Sequence, residues 1–185
     1  MMTTKNIWTR LLLLLSVSFI LAGCGGGGGG GGGNGPSAGS GDFVKLEKFS
    51  LAPAQLTVGP GLMDKTPFVI DWEVSWSSTS NLYIFEVHFT KDPAALSEDT
   101  KVISINCTLH PSCNKVANAG SHPCEYRPFS NNPTVGLAVL TCQGGSPEEK
   151  TVARDGAMFA VARACIWNSK MEYICSDGTQ EVTLG

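Results

Sequence analysis

The chain has 185 residues, of which 42% are hydrophobic and 16% charged, and its formal net charge is −3. From Asp42 to the C-terminus, eleven Lys and Arg stand against sixteen Asp and Glu, so this region carries a net charge of −5. A nucleic-acid partner is disfavoured, because binding to phosphates needs a basic footprint that is missing here.

The first residues predict an export signal. A short cationic segment with Lys5 and Arg10 precedes a mainly apolar stretch from Leu11 to Ala22. A membrane-spanning helix needs about 20 apolar residues, whereas this stretch is about a dozen long and ends in small residues, as the core of a signal peptide does. We therefore expect residues 1–23 to be a signal peptide that is removed, and a permanent membrane helix is the less favoured alternative.

The segment Leu21-Ala22-Gly23-Cys24 resembles the lipobox of bacterial lipoproteins, which signal peptidase II reads. The resemblance implies cleavage before Cys24, diacylglycerol on its sulfur and a fatty acid such as palmitate on its new amino group. Two or more acyl chains anchor a protein stably, since each buried CH₂ contributes ~0.8 kcal/mol. Gly25 stands where lipoproteins of the inner membrane usually carry Asp, so we expect the outer membrane, on its periplasmic or its external side.

A glycine-rich linker follows the cysteine, and together they make up residues 24–41. Gly25 to Gly33 are all glycine, and the residues up to Gly41 contain nothing that would anchor a core. The 17 residues after Cys24 have an r.m.s. reach of about 20 to 25 Å as a flexible coil. A glycine loop for phosphate is disfavoured, because it requires a preceding strand and a following helix. Residues 42–185 suit a single domain with one core.

Alternating residues predict that this domain is all-β. The segments Phe68–Trp76 and Tyr83–Phe89 alternate with period two, which indicates half-buried strands, and the polar residues between them predict a hairpin. Further strands are predicted at Val102–Cys107, Thr134–Cys142, Ala157–Trp167 and Met171–Ser176, and weaker candidates at Phe43–Leu51, Ala54–Val58 and Gln180–Leu184. Only Pro93–Thr100 and Glu148–Arg154 leave room for a helical turn. Seven or eight short strands predict an antiparallel β-sandwich.

Two of these segments resemble strands of immunoglobulin-like or fibronectin type III modules. Phe68–Trp76 is similar to a B strand with its inward Trp, and Ala157–Ala164 is similar to an F strand. The resemblance implies an immunoglobulin-like β-sandwich. The cysteine-rich insert Cys107–Cys124 departs from that pattern, so another antiparallel sandwich or a small barrel is the alternative.

Six cysteines remain after Cys24. Their number is even, and disulfides persist in the oxidising compartments to which an exported chain is sent. They are Cys107, Cys113, Cys124, Cys142, Cys165 and Cys175. If residues 169–171 form the turn between the last two long strands, Cys165 lies opposite Cys175, at a distance that a cross-strand bond spans. Cys113 with Cys124 and Cys107 with Cys142 then follow by elimination, which makes three disulfides.

His110 and His122 stand among three of these cysteines, in the pattern Cys107-x2-His110-x2-Cys113-x8-His122-x-Cys124. Sulfur and imidazole ligands of this kind suit tetrahedral zinc, so a metal site is the alternative to disulfides. The spacing matches no established zinc module, and export favours oxidation of the thiols. We therefore predict disulfides, and no motif predicts a cofactor.

The usual signs of an enzyme are missing from the sequence, H-E-x-x-H and G-x-S-x-G among them. Asp71 and Glu73 share the polar face of one strand, where solvated side chains are favoured over an acid–base pair. We expect a lipid-anchored, non-catalytic binding or adhesion module for an envelope or extracellular protein or glycan, with Thr108–Pro133 as its contact loop. The alternatives are an envelope-assembly or structural accessory and, less favoured, a metal-binding domain or an enzyme.

Overall fold

Two β-sheets make up the folded part of the chain. The structure is a computed structural model that describes residues 41–77, 83–114, 118–132 and 134–185. The predicted signal peptide, Cys24 and the linker up to residue 40 lie outside these ranges. The described residues include no helix long and apolar enough to cross a membrane.

Within the described ranges, eleven strands, numbered in chain order, form the two sheets. They are β1 (Phe43–Ala52), β2 (Gln55–Leu56), β3 (Thr66–Ser77), β4 (Tyr83–Thr90), β5 (Lys101–Asn106), β6 (Cys113–Asn114), β7 (Ala119–Pro128), β8 (Leu137–Thr141), β9 (Glu149–Ala153), β10 (Gly156–Trp167) and β11 (Tyr173–Leu184). Sheet A has the order β1-β3-β7-β8-β9, with β6 also paired to β7, and sheet B has the order β2-β11-β10-β4-β5. The pairing of β2 with β11 is parallel, and the other pairings are antiparallel.

The prediction of an all-β, disulfide-stabilised sandwich is confirmed, with eleven strands in place of seven or eight. The immunoglobulin-like strand order is not confirmed. Tyr173–Leu184 form one continuous strand where the pattern predicts two. Residues 149–153 form the edge strand β9, in a segment where the sequence leaves room for a helical turn. Tertiary contacts make this segment a strand, because β9 forms hydrogen bonds with β8 along its whole length and Val152 packs against the core.

The predicted hairpin of β3 with β4 is also wrong, because the two strands lie in different sheets. Their apolar faces meet across the sandwich, where the indole of Trp72 stacks on the ring of Phe85 with centroids 4.0 Å apart and planes 9° apart. Nε1 of Trp72 donates a hydrogen bond of 3.2 Å to the hydroxyl of Tyr83. Alternation shows which face of a strand is buried, and it does not show which sheet the strand joins.

A glycine makes room for this indole. The cross-strand neighbour of Trp72 in sheet A is Gly120, at the start of β7. A Cβ atom on Gly120 would lie 2.0 Å from Cζ2 of Trp72, far inside van der Waals contact. The close approach explains why β7 contains a glycine, a residue that otherwise weakens a strand.

Polar side chains of β11 close the free edge of β1. The amide of Leu46 donates to Oγ of Ser176 at 3.0 Å. Further along, the amide of Leu51 donates to Oε1 of Gln180, and Nε2 of Gln180 donates to the carbonyl oxygen of Leu51, both at 2.8 Å. These bonds satisfy backbone groups that an edge strand leaves unpaired. They also show that β1 and β11 run in the same direction.

The two ends of the sandwich differ. The strands β1, β4, β7, β9 and β11 begin at one end, called here the near end because the chain enters the domain there. The opposite end is called the far end. It carries the three longest connections, residues 57–65, 91–100 and 129–136, of which residue 133 is not described. The near end carries the β10–β11 turn and the segment around Cys107 and Cys113.

Candidate functional site

All six cysteines of the domain are paired in the structure, as Cys107–Cys113, Cys124–Cys142 and Cys165–Cys175. The predicted pairing of Cys165 with Cys175 is confirmed, since they are cross-strand partners in β10 and β11 with Cα atoms 4.1 Å apart. The other two predicted pairings, Cys113 with Cys124 and Cys107 with Cys142, are wrong. The pairing of β7 with β8 brings Cys124 opposite Cys142, and a tight turn returns Cys113 to Cys107.

His110 and His122 meet at the near end, with ring centroids 5.3 Å apart. Ser112 contacts both: its amide donates to Nδ1 of His110 at 3.2 Å, and its hydroxyl oxygen lies 2.8 Å from Nδ1 of His122. Nε2 of His110 lies 2.9 Å from the carbonyl oxygen of Gly144. Because a carbonyl only accepts, Nε2 of His110 is the donor of this hydrogen bond, and Nδ1 is the acceptor of the bond from Ser112.

The zinc alternative needs thiolates from Cys107, Cys113 and Cys124, and all three sulfurs are bound in disulfides. That ligand set is therefore not available to a metal. The structure groups different atoms, a ring nitrogen of His122 with the sulfurs of Cys124 and Cys142, within 4.8 Å of one another. Because these two sulfurs are bonded to each other, the group offers a metal only the imidazole.

Burial sets the protonation state of His122. The residue is 2% exposed, and no described residue forms a hydrogen bond with its Nε2. Burial, together with the neighbouring His110, lowers the pKa of His122 to about 4. In the unfolded chain a histidine has a pKa of about 6.5. Because the unfolded state binds the proton more tightly, stability is lost as the pH falls below about 6.5.

We expect the free energy of unfolding to fall by about 2 kcal/mol between pH 7 and pH 5 through His122 alone. Urea unfolding at the two pH values measures this loss. In the His122→Gln variant, which has no titrating ring, the loss should shrink by that amount. An equal loss in the wild type and in His122→Gln would show that His122 does not titrate with unfolding.

The predicted contact loop, Thr108–Pro133, is largely not a loop. Residues Ala119–Pro128 form β7 in the middle of sheet A, and Tyr126 is fully buried. Prolines make this segment look like a loop in the sequence. At Pro123, however, β7 is paired only with β3, because its pairing with β6 ends at Gly120 and its pairing with β8 begins at Glu125. The missing N–H of Pro123 is tolerated for that reason. In the sequence, His122, Cys124 and Tyr126 alternate with Pro123 and Glu125, and this period-two pattern is the signal that would have found the strand.

The far end holds a cavity of about 270 Å³ between the connections 57–65 and 129–136. Five of its eight described lining residues are apolar: Val58, Pro60, Pro128, Val135 and Leu137. Arg154 supplies the only charged side chain of the described lining. Sequence reasoning missed this residue, because an isolated arginine at the end of β9 carries no motif.

Arg154 lacks a partner within the described parts of the chain. Its Nε atom is buried without a hydrogen bond, and none of the described ion pairs includes its guanidinium. The hydroxyl of Tyr126 is also buried without a partner. Burial raises the pKa of Tyr126 to about 12, although the positive charge of Arg154 acts against that rise. A carboxylate brought by a ligand would supply the acceptor that Arg154 lacks.

The two carboxylates on the polar face of β3 form part of an ordinary strand surface. Asp71 is exposed, and Glu73 accepts a hydrogen bond of 2.7 Å from Nζ of Lys48 on the neighbouring strand β1. This contact is a surface ion pair, a type that contributes little to stability.

No protein-family model matches the chain, and no significantly similar protein was found among curated proteins or solved structures.

Proposed function

We propose that the chain is an extracytoplasmic lipoprotein whose β-sandwich binds a partner through its far end, without catalysis. The single observation that carries the proposal is Arg154, a cation with no ion-pair partner among the described residues, which lines a cavity between the connections 57–65 and 129–136. Loops on a rigid β scaffold are a frequent arrangement for recognition. The partner is an envelope or extracellular protein or glycan that presents a carboxylate next to an apolar group.

The residues before the domain support the proposed location of this module at a membrane. Lipid on Cys24 would hold it at a membrane, and the absence of Asp at position 25 favours the outer membrane. The linker joins the domain at the near end, so the Arg154 cavity lies at the end opposite the attachment. Tethering raises the effective concentration of partners on the same membrane, and even a weak affinity then suffices.

The test compares Arg154→Gln with the wild type in the capture of isolated peptidoglycan and solubilised envelope proteins. Loss of a charge-assisted hydrogen bond costs about 1.5–3 kcal/mol, so we expect Arg154→Gln to bind about 10- to 100-fold more weakly. Arg127→Gln is the matched control, because Arg127 forms a surface ion pair with Glu149 at 3.1 Å outside the cavity. Undiminished capture by Arg154→Gln would contradict the proposal, and so would turnover of any envelope polymer.

Protease added to intact cells separates this proposal from an assembly role inside the envelope. Cleavage of the domain by this protease would show that it meets its partner outside the cell. Protection of the domain would favour an envelope-assembly or structural accessory.

A further inference from the structure

Exposed apolar side chains gather at the near end, opposite the Arg154 cavity. Trp167 and Tyr173 are cross-strand partners at the tip of the β10–β11 hairpin, with ring centroids 5.0 Å apart, and each is 41% exposed. Met171, in the turn, is 77% exposed, and Phe43, the first residue of β1, is 50% exposed. These four residues are called here the near-end patch.

A disulfide and hydrogen bonds within the turn hold the tip that carries this patch. The Cys165–Cys175 disulfide joins the two strands two residues away from the aromatic pair. Within the turn, Oδ1 of Asn168 accepts hydrogen bonds from the amides of Lys170 and Glu172, at 3.0 and 2.7 Å. The patch is therefore presented by a fixed backbone, which limits the entropy that it loses on contact with a surface.

The conformation of Met171 is unusual for its residue type. Its φ angle is 63°, in the left-handed region that glycine and asparagine adopt most readily. An exposed apolar side chain at such a position neither relieves backbone strain nor fills the core. Backbone outliers of this kind cluster at functional sites, so the observation points to a role for the tip.

The near end is also where the linker joins the domain. The carboxylate of Asp42 accepts a hydrogen bond from the amide of Ser169, which ties the start of β1 to the hairpin tip. If the 17 residues between Cys24 and Asp42 form the flexible coil that their sequence predicts, their r.m.s. reach is about 20 to 25 Å. A bilayer that holds lipid on Cys24 therefore lies within reach of the near-end patch.

We propose that the near-end patch lies in the headgroup region of the membrane that holds Cys24, an inference that rests on the proposed lipoprotein function. Trp and Tyr favour this region, because their rings enter the acyl boundary while their polar atoms stay among the headgroups. Lys170 and Glu172, in the same turn, have opposite charges, so the contact depends on apolar insertion and not on the lipid charge. Docking of the near end would direct the Arg154 cavity away from the bilayer.

The test expresses the full-length sequence, so that any lipid on Cys24 is attached in the cell, and mixes the purified protein with phosphatidylcholine vesicles, with and without bromine on the acyl chains. Trp72 is 2% exposed and Trp76 packs against the core, so the difference between the wild type and Trp167→Phe isolates the emission of Trp167. We expect bromine to remove roughly half of that emission, since interfacial groups lie ~5–10 Å deep, at the boundary of headgroups and acyl chains.

The matched control moves the probe to the far end, as Phe129→Trp in the Trp167→Phe background. Phe129 is 48% exposed and follows β7, so its replacement should be insensitive to bromine. Vesicle-bound protein with unquenched Trp167, or with both probes quenched equally, would overturn the docking and leave the lipoprotein proposal intact. Trp167 emission that responds to protein concentration and not to bromine would assign the patch to a second copy of the chain. Protein that does not float with vesicles would overturn the lipoprotein proposal itself.

Discussion

Replacing Cys24 with alanine is expected to abolish membrane attachment or to stall processing of the precursor. The sulfur of Cys24 is the acceptor of the diacylglycerol that the lipobox resemblance implies, and alanine offers no such atom. Each buried CH₂ of an acyl chain contributes ~0.8 kcal/mol of membrane affinity, and two or more chains together anchor a protein stably. Without these chains the mature domain would lose that anchor. Fractionation of cells into soluble and membrane parts, with the size of the product, measures both outcomes.

Gly25→Asp is the matched control for Cys24→Ala. It leaves the acceptor sulfur in place, so the protein should stay in the membrane fraction and move from the outer to the inner membrane. A Cys24→Ala protein that is cut normally and remains membrane-bound would show that the lipoprotein interpretation is wrong.

Replacing Trp72 with alanine is expected to destabilise the domain by about 3–5 kcal/mol, the usual range for a fully buried Trp. The indole is 2% exposed, stacks on Phe85 across the two sheets and covers Gly120. Its loss leaves a cavity between the sheets and also removes the hydrogen-bond partner of the buried Tyr83 hydroxyl. The midpoint of urea unfolding should fall accordingly, since many domains have only 5–15 kcal/mol to lose.

Trp167→Ala is the matched control, because it removes the same side chain from the exposed hairpin tip. We expect a cost of roughly 1 kcal/mol or less there, as for other surface positions. If the two alanine variants unfolded at similar urea concentrations, Trp72 would not be the centre of the inter-sheet packing.

The two proposals assign separate tasks to the two ends of the sandwich. The near-end patch would orient the domain on the membrane, and the Arg154 cavity would bind the partner at the other end. Because the two sites share no residue, Arg154→Gln should leave the bromine quenching of Trp167 unchanged. Likewise, Trp167→Phe should leave capture of the partner unchanged when the protein is free of membranes.

Features that depend on neighbouring residues follow from the sequence alone. Period-two alternation places Trp72 and Phe85 on buried faces, because side chains of a strand point to opposite sides in turn. Cys165 and Cys175 are predictable as partners, since a tight turn between two adjacent strands sets the register. The lipobox and the glycine linker are likewise local patterns, and what they predict about Cys24 stays a prediction.

Tertiary structure decides what depends on residues distant in the chain. Alternation carries no information on strand partners, so only packing places β3 and β4 in opposite sheets and Cys124 beside Cys142. β7 is held by β3, β6 and β8, and this pairing overrides the turn-like composition around Pro123. The Arg154 cavity is formed by segments from three separate parts of the sequence. The charge of Arg154 becomes informative only because the fold places it in a cavity lined largely by Val, Pro and Leu side chains, where no described residue supplies an acceptor to its Nε atom.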